Sequence, residues 1–491
     1  MVKQVPISQN NSELFKYNFY NYLGAFIGIL SNLFLYTTNQ EFLGILRYTE
    51  SLAFLIFPII LMGSSSSLIN FSPNFRQENK KNLFSYGLKT IIRNSVFVFS
   101  ITYLSLDIFS LFIRTDFIYF AFIFAVFLAF IELLKKQLTL HNIISFPSVL
   151  DNLMPKIILP FIFILFLFKQ IDNVIIGLYI YVFSFFVLLI LLYLYGARFN
   201  AFSFTLKTKG LFDILPKKEY LKYSFFALAG SLGYLFVFKL DSLMIPNLIS
   251  FKANGIYSIA TVAASVIYIP ARGMFSLYAP RVSKLVKNEQ FSDLSILYKD
   301  VSKSLLFIGL LLYGSIFIGI ESLFYLMPSK EVLLQTVSVI YIIGITSVFN
   351  MATGFNSEII IYSKYYNFNL IALGVLTLIN LVSNYLFIIT FGWGIEGAAL
   401  ASFLSIFIFN SIKVVFIYIR FDLLPFSKQF FKLLLIQTSL ILFFNVLPSF
   451  SNSILNLCFK VGGLLIVQLF LVYKLKIVDR FTLIVNRCFK I

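Results

Sequence analysis

LAFLIFPIILMGSSSSLINFSPNFRQENKK, residues 52–81, is an uncharged run that exits at Pro73 and meets Arg76, Lys80 and Lys81 within eight residues. Its apolar part is long enough to cross a hydrocarbon layer. The basic residues sit where such a run would return to the cytoplasm, because Lys and Arg are retained on that side. The same succession of apolar run, short turn, apolar run and basic exit recurs to the end of the chain, and it predicts an all-α integral membrane protein.

Working outward, apolar stretches fall at 17–38, 45–68, 90–113, 117–137, 145–168, 173–196, 220–245, 255–279, 303–326, 333–361, 368–391, 396–419, 428–448 and 453–473. About 14 transmembrane helices follow, with no gap large enough for a soluble domain. The composition agrees: 59% of the 491 residues are hydrophobic and 12% charged, against about 25% charged in a soluble domain. Met1 to Lys16 is polar, and the first apolar run lacks a cleavage site, so no signal peptide is expected.

The charge distribution sets the orientation. Of 39 Lys and Arg, 30 count with alternate gaps. The other gaps hold only Arg114, Lys169, Lys252 and Lys330, and five cations fall within spans: Arg47, Lys156, Lys239, Arg272 and Lys460. Both termini are expected in the cytoplasm, and an odd number of spans would destroy the asymmetry. The net charge of +18 fits this topology and anionic lipid better than nucleic acid, so no nucleic-acid partner is expected. Cys458, Cys488 and the single His141 provide neither a disulfide framework nor a metal set.

An internal repeat divides the chain. Residues 17–89 contain a turn with Glu41-Phe42-Leu43-Gly44-Ile45 and an exit at Pro73. Residues 220–303 contain a turn with Asn254-Gly255-Ile256-Tyr257 and an exit at Pro280, and Gly44 and Gly255 are 211 positions apart. Two six-helix halves in the same orientation are predicted, with a substrate path between them. The expected organisation is an N-lobe over 1–219 with helices 1–6, a C-lobe over 220–425 with helices 7–12, and two additional helices with a cytoplasmic tail over 426–491.

Five stretches carry a family resemblance. They are Asp241-Ser-Leu-Met-Ile-Pro246, the pair Gly255-Ile-Tyr-Ser-Ile-Ala260 and Tyr278-Ala-Pro-Arg-Val-Ser-Lys284, and Asn380-Leu-Val-Ser-Asn384 followed by Phe391-Gly-Trp-Gly-Ile-Glu-Gly397. The chain resembles Wzx-type oligosaccharide flippases of the multidrug/oligosaccharidyl-lipid/polysaccharide (MOP) exporter superfamily. The resemblance implies a MATE-like V-shaped bundle working by alternating access in the bacterial inner membrane. It implies a cargo of undecaprenyl-pyrophosphate-linked oligosaccharide, moved to the outer leaflet for O-antigen, lipopolysaccharide, capsule or exopolysaccharide assembly. Membrane lipids, a polysaccharide polymerase and chain-length proteins are the partners it suggests.

An anionic head group needs fixed cations, and charges at membrane depth mark candidate sites. Arg272, Lys239, Lys156 and Arg47 are therefore candidate substrate contacts. Arg47 has a competing reading, because Glu50 lies one turn along the same helix face and can pair with it. Lys239 and Asp241 are two positions apart, on well-separated sides of a helix, and cannot satisfy each other locally. Lys460, in an added span, reads as peripheral. Asn380, Asn384 and Asn350 could meet a glycan, although interhelical hydrogen bonding is the plainer role for membrane asparagines. Asp241 and Glu50 are the candidates for H+ or Na+ coupling, and no cofactor or metal is expected. Glu321, Glu358 and Glu396 read as interfacial.

Three other readings compete. A MATE-type cation-coupled drug antiporter calls for an acidic cavity, and the first span holds no carboxylate. A lipid II flippase shares the cationic lining. A membrane glycosyltransferase or ligase calls for a long outer loop, and the expected outer gaps are about ten residues or fewer; the chain is read as a transporter and not an enzyme.

Overall fold

The structure is a computed structural model that describes residues 23–24, 26–75, 77–110, 114–141, 143, 145–202, 211–479, 481–482 and 485–486. The start of the first expected span and Cys488 lie outside these residues. Regular structure among the described residues is helical, with no strand. Hydrocarbon offers no partner to a backbone N–H or C=O, and a helix satisfies both within one segment.

By internal packing the chain divides into two units, Met1–Gly255 and Ile256–Ile491. The first contains α1 (Phe26–Thr38), α2 (Gln40–Leu61), α3 (Ser64–Phe71), α4 (Gln77–Leu104), α5 (Ile118–Leu140), α6 (Ser145–Leu167), α7 (Val174–Ala197) and α8 (Lys217–Leu248). It closes on the first turn of α9 (Phe251–Ser265). The second continues through α10 (Ile269–Lys287), α11 (Phe291–Tyr325), α12 (Val337–Ala352), α13 (Asn356–Tyr362), α14 (Tyr366–Thr390), α15 (Gly394–Phe421), α16 (Lys428–Val446) and α17 (Ser453–Lys474).

Among the described residues, nine helices are long and apolar enough to cross a bilayer, and α12 with α13, bent by 47° at their junction, would make a tenth. The protein is thus a multi-pass helical membrane protein. Helical residues overlap all the expected spans, but the number meeting both requirements is nine or ten rather than fourteen. The described apolar stretches of α1 and α6 are short, the latter only Leu153–Leu167.

α2 is the axis of the first unit and packs along both α5 and α8. Asn39 opens it, its side-chain oxygen accepting from the Phe42 N–H at 2.9 Å, which satisfies one of the free donors of a helix start. By sequence repeat α8 opens the second half of the chain; by packing it belongs with α2.

The repeat reappears in space. A Cβ on Gly44 would lie 1.7 Å from the Phe251 carbonyl oxygen, and one on Gly255 would lie 1.9 Å from the Gln40 carbonyl oxygen. Gln40 and Phe251 are also 211 positions apart, so the two contacts are copies of each other about a local pseudo-two-fold. Asn254 adds a hydrogen bond from Nδ2 to the Gly44 carbonyl at 2.8 Å. Small residues let membrane helices approach at backbone distance, where packing replaces the hydrophobic effect.

In the second unit, α11 packs against α12, α16 and α17. Its buried face supplies Leu297, Tyr298, Val301, Leu305 and Leu310 to the core. Polar ties fix the last two helices: Asn456 Nδ2 to Ser322 Oγ at 2.8 Å and Gln437 Nε2 to the Phe307 carbonyl at 3.4 Å. Lys460 is not a rim residue. It is buried and donates to Ser449 Oγ at 2.9 Å.

Candidate functional site

The first unit gathers charges from three helices. Arg47 and Glu50 lie one turn apart on α2, so their side chains share a face. Arg47 Nη1 donates to Glu50 Oε2 at 2.7 Å, and the Tyr181 hydroxyl of α7 donates to Glu50 Oε1 at 2.5 Å. Glu50, 6% exposed, is therefore held at both oxygens. Lys239 of α8 places its ammonium 4.6 Å from the centre of the Phe54 ring, and it interacts electrostatically with both Glu50 and Arg47. One cation thus pairs with the carboxylate and a second feels its field, and the cluster carries a net positive charge when all three are ionised.

The pairing reading of Arg47 is the one the geometry shows. Arg47, Glu50 and Lys239 come together, and Tyr181 joins them from 131 positions away. Nothing in the sequence singles out Tyr181 among 28 tyrosines. Asp241 is half-buried on α8. Lys156, also half-buried, lies along the Gly24 backbone: a Cβ there would come within 3.0 Å of its Cδ and 3.1 Å of its Nζ.

The remaining candidates belong to the second unit. Arg272 is exposed on α10, its guanidinium 5.8 Å from the Tyr268 ring one turn earlier. Asn380 and Asn384 are buried on α14. Asn384 Nδ2 donates to Asn380 Oδ1 at 3.0 Å, and Asn380 Nδ2 donates to Ser402 Oγ of α15 at 3.3 Å. Asn350 accepts from Asn410 Nδ2 at 3.0 Å, and Asn410 Oδ1 accepts from Asn356 Nδ2 at 2.9 Å. Asn350 and Asn380 make the interhelical bonds of the plainer reading, while Asn384 bonds Asn380 on its own helix.

Position in the charge tally conceals Lys413. It counts with an inner gap although it falls inside the expected span 396–419, and in α15, which ends at Phe421, it lies about 12 Å from the helix end at 1.5 Å per residue. It is fully buried and donates to Ser357 Oγ. Glu358, expected at an interface, is half-buried and interacts with it electrostatically. The expectation holds better for Glu321, which accepts from the Tyr341 hydroxyl at an exposed position. Glu132 pairs with Lys135 and Lys136 at 3.3 Å each, as solvated neighbours on one helix do. Among the described residues, no group of His, Cys, Asp and Glu is arranged to hold a metal ion.

The fold matches those of several solved membrane transporters. A lipid II flippase MurJ in an inward closed conformation superposes with a TM-score of 0.70 at 13% identity, over 98% of this chain and 100% of that one. An inward-facing multidrug resistance MATE family transporter of the MOP superfamily gives 0.58 at 15% identity, over 83% and 94%. The Vibrio cholerae MATE transporter VcmN, as a mutant, gives 0.54 at 14% identity, over 83% and 97%. Coverage of 98% takes in α16 and α17, so both late helices have counterparts in the MurJ fold. No protein-family model matches the sequence, and no curated protein matches it.

Proposed function

We propose that the protein is a MOP-superfamily flippase that carries undecaprenyl-pyrophosphate-linked oligosaccharide from the inner to the outer leaflet by alternating access. The observation that carries this reading is the net positive cluster of Arg47, Lys239 and Glu50 at membrane depth. An excess of cations at membrane depth suits a pyrophosphate and opposes a cationic drug. The full reading has fourteen crossings, both termini in the cytoplasm and the bacterial inner membrane as location. It places two six-helix lobes at 1–219 and 220–425, with helices 13 and 14 and the tail beyond. Arg272, Lys156, Asn350, Asn380 and Asn384 complete the substrate contacts. Asp241 or Glu50 couples the cycle to an ion gradient, and a polymerase and chain-length proteins consume the product for O-antigen or capsule.

A lipid II cargo is the second reading, favoured by the MurJ superposition over the whole of both chains. It keeps the cationic site and changes only the glycan. A deletion strain separates the two. Accumulation of lipid-linked repeat units with loss of surface polymer supports the first, and accumulation of lipid II with failing cell-wall synthesis supports the second. Unchanged glycan and wall together with altered sensitivity to cationic dyes would replace both with a drug antiporter.

Within the favoured reading, Lys239→Ala and Arg272→Ala each lower export about tenfold or more, the scale of a lost hydrogen bond to a charged group. Protein abundance in the membrane stays near normal. Export at the wild-type rate in both variants would remove the cation argument. Lys330→Ala, at an expected outer turn, leaves export unchanged.

A further inference from the structure

The second unit contains a buried ionisable group that the transport reading does not use. α12 and α13 meet at a 47° bend, and Gly354 between them has φ +64°, in the region that favours glycine. A Cβ there would also come within 3.0 Å of the Tyr298 ring. The break is bound to α15 by a line of buried and half-buried side chains. Asn350 before the bend and Asn356 after it both bond Asn410. One turn further along α15, Lys413 bonds Ser357.

Lys413 is 0% exposed, and its surroundings are poor for an ammonium ion. Its hydrogen-bond acceptor is a hydroxyl, and its nitrogen lies 4.0 Å from the centre of the Phe409 ring. Glu358, next to Ser357 on α13, interacts with it electrostatically without a 4 Å ion pair among the described residues. Tyr298 of α11 interacts with Glu358 as well, and its buried hydroxyl has no hydrogen-bond partner. A buried charge is costly unless it is paired and hydrogen-bonded. The ammonium thus has two remedies: to give up its proton, or to exchange Ser357 for the carboxylate one residue on, which requires α13 to turn.

We propose that Lys413 is a proton-binding site whose occupancy sets the α12–α13 bend. On uptake the amine lone pair forms an N–H bond with a proton from hydronium, releasing water, and the ammonium draws in Glu358. On release the proton returns to water and the neutral amine remains on Ser357. The charged group that acts on it is Glu358 on α13, which in turn interacts with Tyr298 on α11; α12 and α15 present Asn350 and Asn410, and among the described residues no titratable group of α14, packed along α15, acts on it. The inference rests on the transport reading for its use in a cycle, but its test needs no cargo.

The test uses the full chain in lipid nanodiscs, with Cys458 and Cys488 replaced and nitroxide labels at 345 and 361, both exposed positions flanking the bend. The interlabel distance is measured by pulsed electron paramagnetic resonance from pH 6 to pH 9. The expected result is a pH-dependent change of roughly 2 Å or more, the scale of a local rearrangement. It disappears in Lys413→Met and in Lys413→Arg, whose guanidinium stays charged. A distance independent of pH in the unsubstituted chain would overturn the proposal. So would a pH response that survives Lys413→Met but vanishes in Glu358→Gln. Ser357→Ala, which keeps the lysine, retains a pH response and serves if the lysine variants do not fold.

Discussion

Alanine at Gly44 is expected to prevent the first unit from packing. Its Cβ would sit 1.7 Å from the Phe251 carbonyl oxygen, 2.7 Å from the carbonyl carbon and 2.9 Å from Gly255 N. All three are backbone atoms, so no rotamer change can relieve the clash, and α2 must move away from the start of α9. Overpacking a core by one methyl costs about 1–3 kcal/mol when side chains can yield, and a rigid backbone contact lies at or above the top of that range. The hydrogen bond from Asn254 to the Gly44 carbonyl would be strained by the same displacement. Gly255→Ala makes the mirror contact with Gln40 and should behave alike. Gly28→Ala is the control, since a Cβ there meets nothing within 4 Å. Thermal unfolding of purified protein in detergent should show a large drop, or no recoverable protein, for the first two and none for the control. Wild-type melting in Gly44→Ala would mean that the repeat-related contact is not formed.

That pair of glycines also marks how far the sequence could be read. The 211-residue offset was legible from the turn residues alone, and so was the membrane-spanning helical class, because both are periodic features of one dimension. The contact between the two glycines was not, since a repeat does not say whether its copies touch. The Arg47–Glu50 pair was legible because both residues lie on one helix at a spacing of three. Tyr181 was not: its bond to Glu50 spans 131 positions, and a membrane tyrosine looks the same whether it sits at an interface or inside a charge cluster. Lys413 escaped for a different reason. It was counted with the cytoplasmic charge although it falls inside the expected span 396–419, and only the packing of α15 against α13 shows that its side chain is buried. Lys460 shows the same failure, buried on α17 where a peripheral lysine was expected.

Replacing Glu50 tests whether the cluster of the first unit is structural, functional or both. Glu50→Ala leaves the Arg47 guanidinium and the Tyr181 hydroxyl without the carboxylate that holds them. Breaking a buried pair at one end typically costs about 3–5 kcal/mol, because the remaining charge stays desolvated. A marked fall in melting temperature and in membrane yield is expected. The double variant Arg47→Met with Glu50→Leu removes both charges, and replacement of a buried pair by apolar residues of similar volume is often neutral or stabilising. Its melting temperature should return most of the way to that of the wild type. Transport then decides between the roles. A stable double variant that no longer exports glycan means that the pair acts in the cycle, as a cation for the cargo or a carboxylate for the coupling ion. Full export by the double variant would reduce the pair to a packing device and leave Lys239 as the cation of this cluster. Tyr181→Phe separates the third member, because it removes only one hydrogen bond to a charged acceptor, about 1.5–3 kcal/mol. A double variant as unstable as Glu50→Ala would mean that the Arg47–Glu50 contact contributes shape rather than charge, and the electrostatic account of the site would fail with it.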